Sequence, residues 1–283
     1  MIELKKKRPF ICILLIYLIC FIFRSIEYLA IRTDQSFIGE AFIHKLLGIV
    51  VLIIAVRLFS YNWKEIGFNR ATFSKQILLG LLLGGAIFLI AYTAEFFIQK
   101  VNGASPKLDF FVSSYSIDGN QIMNNSFAFV IICILGNIIN VTMEEGIFRG
   151  LFIRLGEEKY AYTKSMIFSA VLFGLWHIAQ AARSYIDGNI TLSAAFISAL
   201  GYAIMTTVGG IKYGLLVKIT GSVWMGMAEH FVNNTIVNLL HIVTASGADE
   251  MQFVRISIAQ TLSTIFIIIW FFKSRSKNKA TFR

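Results

Sequence analysis

The chain has 283 residues, 57% of them hydrophobic and only 15% charged, with a formal net charge of +10. Soluble domains run nearer 45–50% apolar and about 25% charged, so a water-soluble globular protein is excluded and lipid must solvate the excess. The basic residues sit in short clusters between apolar runs, which encodes membrane orientation rather than nucleic-acid binding.

A helix needs about 20 mainly apolar residues to cross the hydrocarbon core. The first candidate, Pro9 to Phe23 behind Lys5–Arg8, has the form of a signal peptide. No small-x-small cleavage pattern follows it, and Arg24, Ser25, Ile26 and Glu27 come next, so it is expected to remain as a first span. Eight segments qualify or nearly do: 9–30, 39–59, 76–98, 125–153, 165–182, 189–210, 219–242 and 255–272. The expected fold is therefore all-α, a polytopic transmembrane bundle of about eight spans forming one membrane-embedded domain over residues 1–283.

Segment 99–124, with Pro106, Asp109, Phe110, Phe111, Tyr115 and Asp118, reads as an ordered external loop, with an interfacial helix or lid as the alternative. Cys12, Cys20 and Cys133 lie in apolar runs and are odd in number, which predicts packing residues rather than disulfides or a thiolate metal site. Gly80, Gly84 and Gly85, and the pair Gly146 and Gly150, predict close helix packing.

Eight spans put both termini on one side. Counting Lys and Arg on that basis, with Lys45 left out as internal to a span, gives 19 on the side of the termini against 6 on the other, Arg24, Arg32, Lys100, Lys107, Arg183 and Arg255. By the positive-inside rule both termini are cytoplasmic.

Ionisable residues near a helix centre cost about 2.5–3.5 kcal/mol each on insertion scales and need a partner or a task. Three stretches on three spans carry them: Met143–Gly150 (MEEGIFRG), Phe173–His177 (FGLWH) and Ala228–Asn234 (AEHFVNN). Glu145 and Arg149, four apart, share a helix face and form an ion pair. Glu144 points about 100° away and stays unexplained by packing. His230 and Asn234 also share a face, as do Phe173 and His177.

Glu144 lies ten residues from Arg154, His177 thirteen from Lys164 and His230 twelve from Lys218. At about 1.5 Å per residue, all three sit roughly 15–20 Å below the cytoplasmic boundary and can meet at one depth. A carboxylate and imidazoles converging in a sealed interior can hold a water, take its proton and stabilise an oxyanion, the last a task an Asn amide also suits. Gln180 is a candidate to line the same cavity. His44 and Lys45, and Asn137, Asn140 and Thr142, read as structural. Glu229 reads as snorkelling or structurally bonded, and His241 as near the external interface.

In combination these motifs resemble the CPBP or Abi family, which includes type II CAAX prenyl endopeptidases and bacteriocin-processing membrane proteases. Its pattern EExxxR, FxxxH and HxxxN is filled in order by Glu144, Glu145 and Arg149, by Phe173 and His177, and by His230 and Asn234, with a motif-bearing core at about 125–242. The resemblance implies an intramembrane endopeptidase in which Glu144 and His177 activate water and His230 and Asn234 form the oxyanion hole. Glu145, Arg149 and Phe173 would support the site.

No cofactor is favoured. Zinc is the alternative, held by Glu144, His177 and His230, but no HExxH is present. The implied substrate is a membrane-associated peptide or protein, either a prenylated C-terminus or, as the Ile, Phe, Lys and Asn bias toward a prokaryotic plasma membrane favours, a bacterial peptide or regulator. Two other classes stay open: a proton-coupled transporter, which would show inverted repeats and broken helices, and a non-catalytic scaffold or immunity protein.

Overall fold

The computed structural model describes residues 2–35, 41–113 and 126–280, the last six of these as backbone. Tyr115, Asp118 and the side chains of Arg275, Lys277, Lys279 and Arg283 lie outside the described residues. The helices are α1 Ile2–Lys7, α2 Pro9–Ile26, α3 Ile43–Leu58, α4 Phe73–Val101, α5 Phe127–Glu144, α6 Ile153–Gly156, α7 Tyr162–Trp176, α8 Ile178–Ile186, α9 Leu192–Thr220, α10 Trp224–Leu239 and α11 Gln252–Ala280. Glu27–Ile31 extends α2 as π-helix, and Glu145–Phe152 joins α5 to α6 in the same form.

The termini of these helices follow local chemistry. Pro9 opens α2 at the first position, where its missing N–H is harmless. Ser126 and Thr191 cap α5 and α9 by accepting from Phe129 N and Ala194 N. Gly221, at φ 70°, ends α9 in the left-handed conformation that closes many helices.

Among the described residues, six helical stretches are long and apolar enough to cross a membrane: Pro9–Gln35, Arg70–Val101, Phe127–Gly156, Tyr162–Ile186, Leu192–Thr220 and Gln252–Ser274. The other two expected spans correspond to α3 and α10, each of 16 residues and so shorter than a full crossing. The seventh expected span ends early, because Leu240–Val243 leaves the helix as a strand, β2, antiparallel to β1, Lys107–Phe110. The outer segment thus begins with a strand before the described residues break off at 113. His241 is fully buried in this pairing, stacked on Phe111 at 3.9 Å and 3.0 Å from Asp249.

Polarity is inverted as lipid requires. Leu82, Leu89, Phe196, Ile197 and Phe272 are each at least 60% exposed, while the spans' Arg24, Lys45, Glu144 and Glu229 are buried. One apolar cluster, with Leu52, Phe148, Phe152 and Trp176, lies between α2, α3, α7 and the π-helix; another, with Phe88, Tyr92 and Val237, lies between α4, α10 and α11. Gly80 and Gly84 let α4 approach α10, and Gly150 meets the Ile66 carbonyl at 2.6 Å from a would-be Cβ; Gly85, against expectation, faces no neighbour within 4 Å.

The loops sort onto two ends as the charge count groups them. At one end Lys5 Nζ donates to Phe59 O (2.7 Å), Lys159 Nζ to Lys7 O (3.0 Å) and Trp224 Nε1 to Asn69 O (3.0 Å). At the other, Arg32 pairs with Asp187 (2.6 Å) and Arg183 with Asp34 (2.7 Å). Four of the counted residues are not at either boundary: Arg149 and Lys212 on one side of the ledger, Arg24 and Arg255 on the other, are buried inside the bundle. Setting them aside leaves 17 against 4, so the bias survives.

Candidate active site

α7 stops at Trp176 and α8 starts at Ile178, and the break between them shapes the site. At the break His177 N bonds Gly174 O (3.2 Å), three residues back, instead of the carbonyl four back. Phe173 O is thereby freed, and it accepts from His177 Nδ1 at 2.9 Å. Since a carbonyl only accepts, Nδ1 carries a proton, and Nε2 of the neutral ring is a lone-pair nitrogen. The Phe173 side chain has a separate task, lying 3.8 Å from the Arg149 guanidinium.

Glu144, which packing could not explain, has a full set of partners. Trp176 Nε1 donates to its Oε1 at 3.0 Å and Asn140 Nδ2 to its Oε2 at 3.4 Å, while Arg24 NH1 lies 4.0 Å away. Trp176, Arg24 and Asn140 were not singled out as functional from sequence, and Asn140 was read as structural. Their signals were present: a Trp beside the motif histidine, an Arg inside a first span, and an Asn one turn before Glu144.

Glu145 was assigned to Arg149 alone, and the structure enlarges that role. Its Oε2 lies 3.3 Å from Arg149 Nε, and its Oε1 accepts from His230 Nδ1 at 2.9 Å. His230 Nε2 lies 3.8 Å from Glu144 Oε2, so the two adjacent glutamates flank the two nitrogens of one ring. The π-helix starting at Glu145 follows directly on the α-turn carrying Glu144, a kind of irregularity often found at functional sites. Ser169 Oγ supports it by donating to Phe148 O at 2.6 Å. The His230 ring stacks on Tyr213 (5.1 Å, 17°).

Asn234 lies one turn beyond His230, and its Oδ1 accepts from Asn233 Nδ2 at 2.9 Å. Glu229 faces away from this group, in a buried ion pair with Lys212 Nζ at 2.7 Å, which also explains why Lys212 is not a boundary residue. His44 is structural, as expected, bonded to Glu27 at 2.6 Å.

Glu144, His177, His230 and Asn234 all line one cavity of about 650 Å³. Asn137, Asn140, Gln180, Arg24 and Lys45 share its walls, as do Arg32, Asp34, Arg183 and Asp187, which pair with one another. The three spans that carry these groups thus bring them to one cavity.

Residues 126–236 match the family model described as type II CAAX prenyl endopeptidase Rce1-like. This segment is Rce1-like. It contains every motif residue and covers α5, α7, α9 and most of α10, while α2, α3 and α4 lie before it. No curated protein matches the chain. The match is thus to a family of membrane endopeptidases over less than half of the chain, and the six long apolar helices make the whole an integral membrane protein.

Proposed function

We propose that this Rce1-like chain is a metal-independent endopeptidase of bacterial type, processing a membrane-associated peptide or regulator. Glu144 and His177 take the proton of the attacking water; His230 Nε2, when protonated, and Asn234 Nδ2 donate to the oxyanion formed at the scissile carbonyl. The observation that carries this reading is the convergence on one cavity wall of a carboxylate and two imidazoles whose Nδ1 atoms are both committed as donors. Each ring is thus held with Nε2 as the nitrogen left for chemistry.

The same commitment of Nδ1 would suit zinc ligands, and were zinc resident, Glu144, His177 and His230 would hold it and it would supply Lewis-acid activation of water. The metal-free reading is favoured because both Glu144 oxygens already accept hydrogen bonds and a guanidinium stands 4.0 Å away. The Ile, Phe, Lys and Asn bias supports a prokaryotic plasma membrane and hence the bacterial role over prenyl-protein processing.

The test compares membrane peptidomes of cells carrying the native chain, Glu144→Gln or His177→Ala. Peptides present only with the native chain, with both variants folded and inserted, are expected, and they identify the substrate. Identical peptidomes would refute a protease and leave a scaffold or transporter. Metal analysis of the purified protein, with a chelator in the cleavage assay, decides the metal question: bound zinc with chelator-sensitive activity would overturn the metal-free mechanism.

A further inference from the structure

The Asn234 carboxamide can face the cavity with either end, and only its Nδ2 end can stabilise an oxyanion. A carboxamide has no preference of its own between the two orientations; neighbours must decide. Asn234 Oδ1 accepts from Asn233 Nδ2 at 2.9 Å. Asn233 Oδ1 in turn accepts from Gln260 Nε2 at 2.8 Å, and Gln260 Oε1 accepts from Lys212 Nζ at 2.9 Å. The series therefore consists of three reversible amides ending at one group that is not reversible.

An ammonium has three hydrogens and no acceptor. Lys212 Nζ directs two of them to Glu229 Oε1 and Oε2, at 2.7 and 2.8 Å, and the third to Gln260. Ser263 Oγ donates to Glu229 Oε1 at 2.8 Å, holding the carboxylate in place. Lys212 is fully buried, so the third hydrogen must find an oxygen, and Gln260 must present Oε1 to it. That choice forces Nε2 toward Asn233, which forces the Asn233 Nδ2 toward Asn234.

We propose that Lys212, acting through Gln260 and Asn233, sets the orientation of the Asn234 amide so that Nδ2 is the end left to donate into the cavity. Gln260 and Asn233 are positioning residues, and the ion pair of Lys212 with Glu229 has a role beyond holding α9 to α10. The proposal rests on the reading of Asn234 as an oxyanion donor.

Gln260→Glu is nearly isosteric and keeps an acceptor for Lys212, but the second oxygen of the new carboxylate can only accept. Asn233 must then turn its Nδ2 to that carboxylate and its oxygen to Asn234, whose own Nδ2 is drawn away from the cavity. The rate of appearance of the Glu144-dependent peptides, per folded protein, is expected to fall about 10²–10³-fold, the size of losing one oxyanion donor. Adding Asn233→Leu cuts the series, frees Asn234 to reorient, and should bring the rate back to within about tenfold of native. A merely structural or charge effect of the introduced carboxylate would instead persist or add to the second lesion.

Asn234→Ala separates the two hypotheses. If it lowers the rate 10²–10³-fold while Gln260→Glu leaves it within threefold, the orientation relay is overturned and the oxyanion assignment stands. If Asn234→Ala itself is within threefold of native, the oxyanion assignment fails and the relay with it. Absence of recovery in the Gln260→Glu, Asn233→Leu double variant, with thermal stability in detergent retained, also overturns the relay.

Discussion

Glu145 is bound on both sides, and replacing it by Gln should separate a structural loss from a catalytic one. Arg149 is 2% exposed, its Nε lies 3.3 Å from Glu145 Oε2, and its other guanidinium nitrogens have no hydrogen-bond partner among the described residues. Apart from the faces of Phe173 and Tyr213, at 3.8 and 5.3 Å, that carboxylate is its nearest compensation. Glu145→Gln keeps the shape and strands the cation. Breaking a buried pair from one side costs about 3–5 kcal/mol. At about 2–4 °C per kcal/mol, the melting temperature in detergent should fall by roughly 6–20 °C.

Removing both partners with Glu145→Gln, Arg149→Met should regain most of that loss, since a buried pair exchanged for neutral groups is often neutral in stability. Activity should not return in full, because His230 Nδ1, 2.9 Å from Glu145 Oε1, keeps at most a neutral amide oxygen in place of the carboxylate, and the charge-assisted bond is lost. The assays are thermal unfolding of the purified protein and accumulation of the Glu144-dependent peptides. A double variant no more stable than Glu145→Gln would refute the stranded-cation argument. One that regained native activity would refute a role for the Glu145 charge on His230.

Trp176→Phe removes the donor 3.0 Å from Glu144 Oε1; a hydrogen bond to a charged group is worth about 1.5–3 kcal/mol, so cleavage should slow about 10- to 100-fold with the protein still inserted, and an unchanged rate would exclude Trp176 from the site. Gly174→Ala would press a Cβ onto Thr207 Oγ1 and to 2.5 Å from Ala203 O, forcing α7 off α9; a destabilisation of about 1–3 kcal/mol is expected in thermal unfolding. At the end that carries Lys5, burial tends to raise the Glu158 carboxyl, but the Tyr61 hydroxyl bond and the Lys5 and Arg154 charges outweigh it and hold the group below its ordinary value. A depressed folded-state pKa gives stability that is complete above the unfolded value, about 4.3, and disappears as pH falls through the folded one. The melting-temperature gap between the native chain and Glu158→Gln should therefore shrink on acidification from pH 6, and a gap that widened would reverse the argument.

The all-α bundle was legible because lipid imposes one simple rule, long apolar runs with their charges at the ends. Lengths were less legible. The fifth expected span, 165–182, breaks at His177 and continues as α8, because the irregular turn is fixed by bonds that no local pattern announces. The sixth, expected over 189–210, runs ten residues further to Thr220, since Lys212 looked like a boundary charge and is instead neutralised by Glu229 on another helix. Spacing reports which residues share a helix face; it does not report what a neighbouring helix brings to that face.

The same limit explains which site residues were found. Glu144, His177, His230 and Asn234 stood out because each is costly or unusual in lipid and their depths agreed. Arg24 and Lys212 are equally costly, but each was counted as a topological signal. In the structure Arg24, Lys45 and Glu144 line the cavity, and with the buried Arg149, Lys212, Glu27, Glu145 and Glu229 they make four basic and four acidic side chains. Equal numbers of formal charges of each sign can be buried without a net field, so these groups compensate one another although they come from five helices and two π-turns. Arg24, Arg149 and Lys212 are thus the counter-charges of Glu144, Glu145 and Glu229, supplied in two of the three cases by a neighbouring helix that no local pattern reveals.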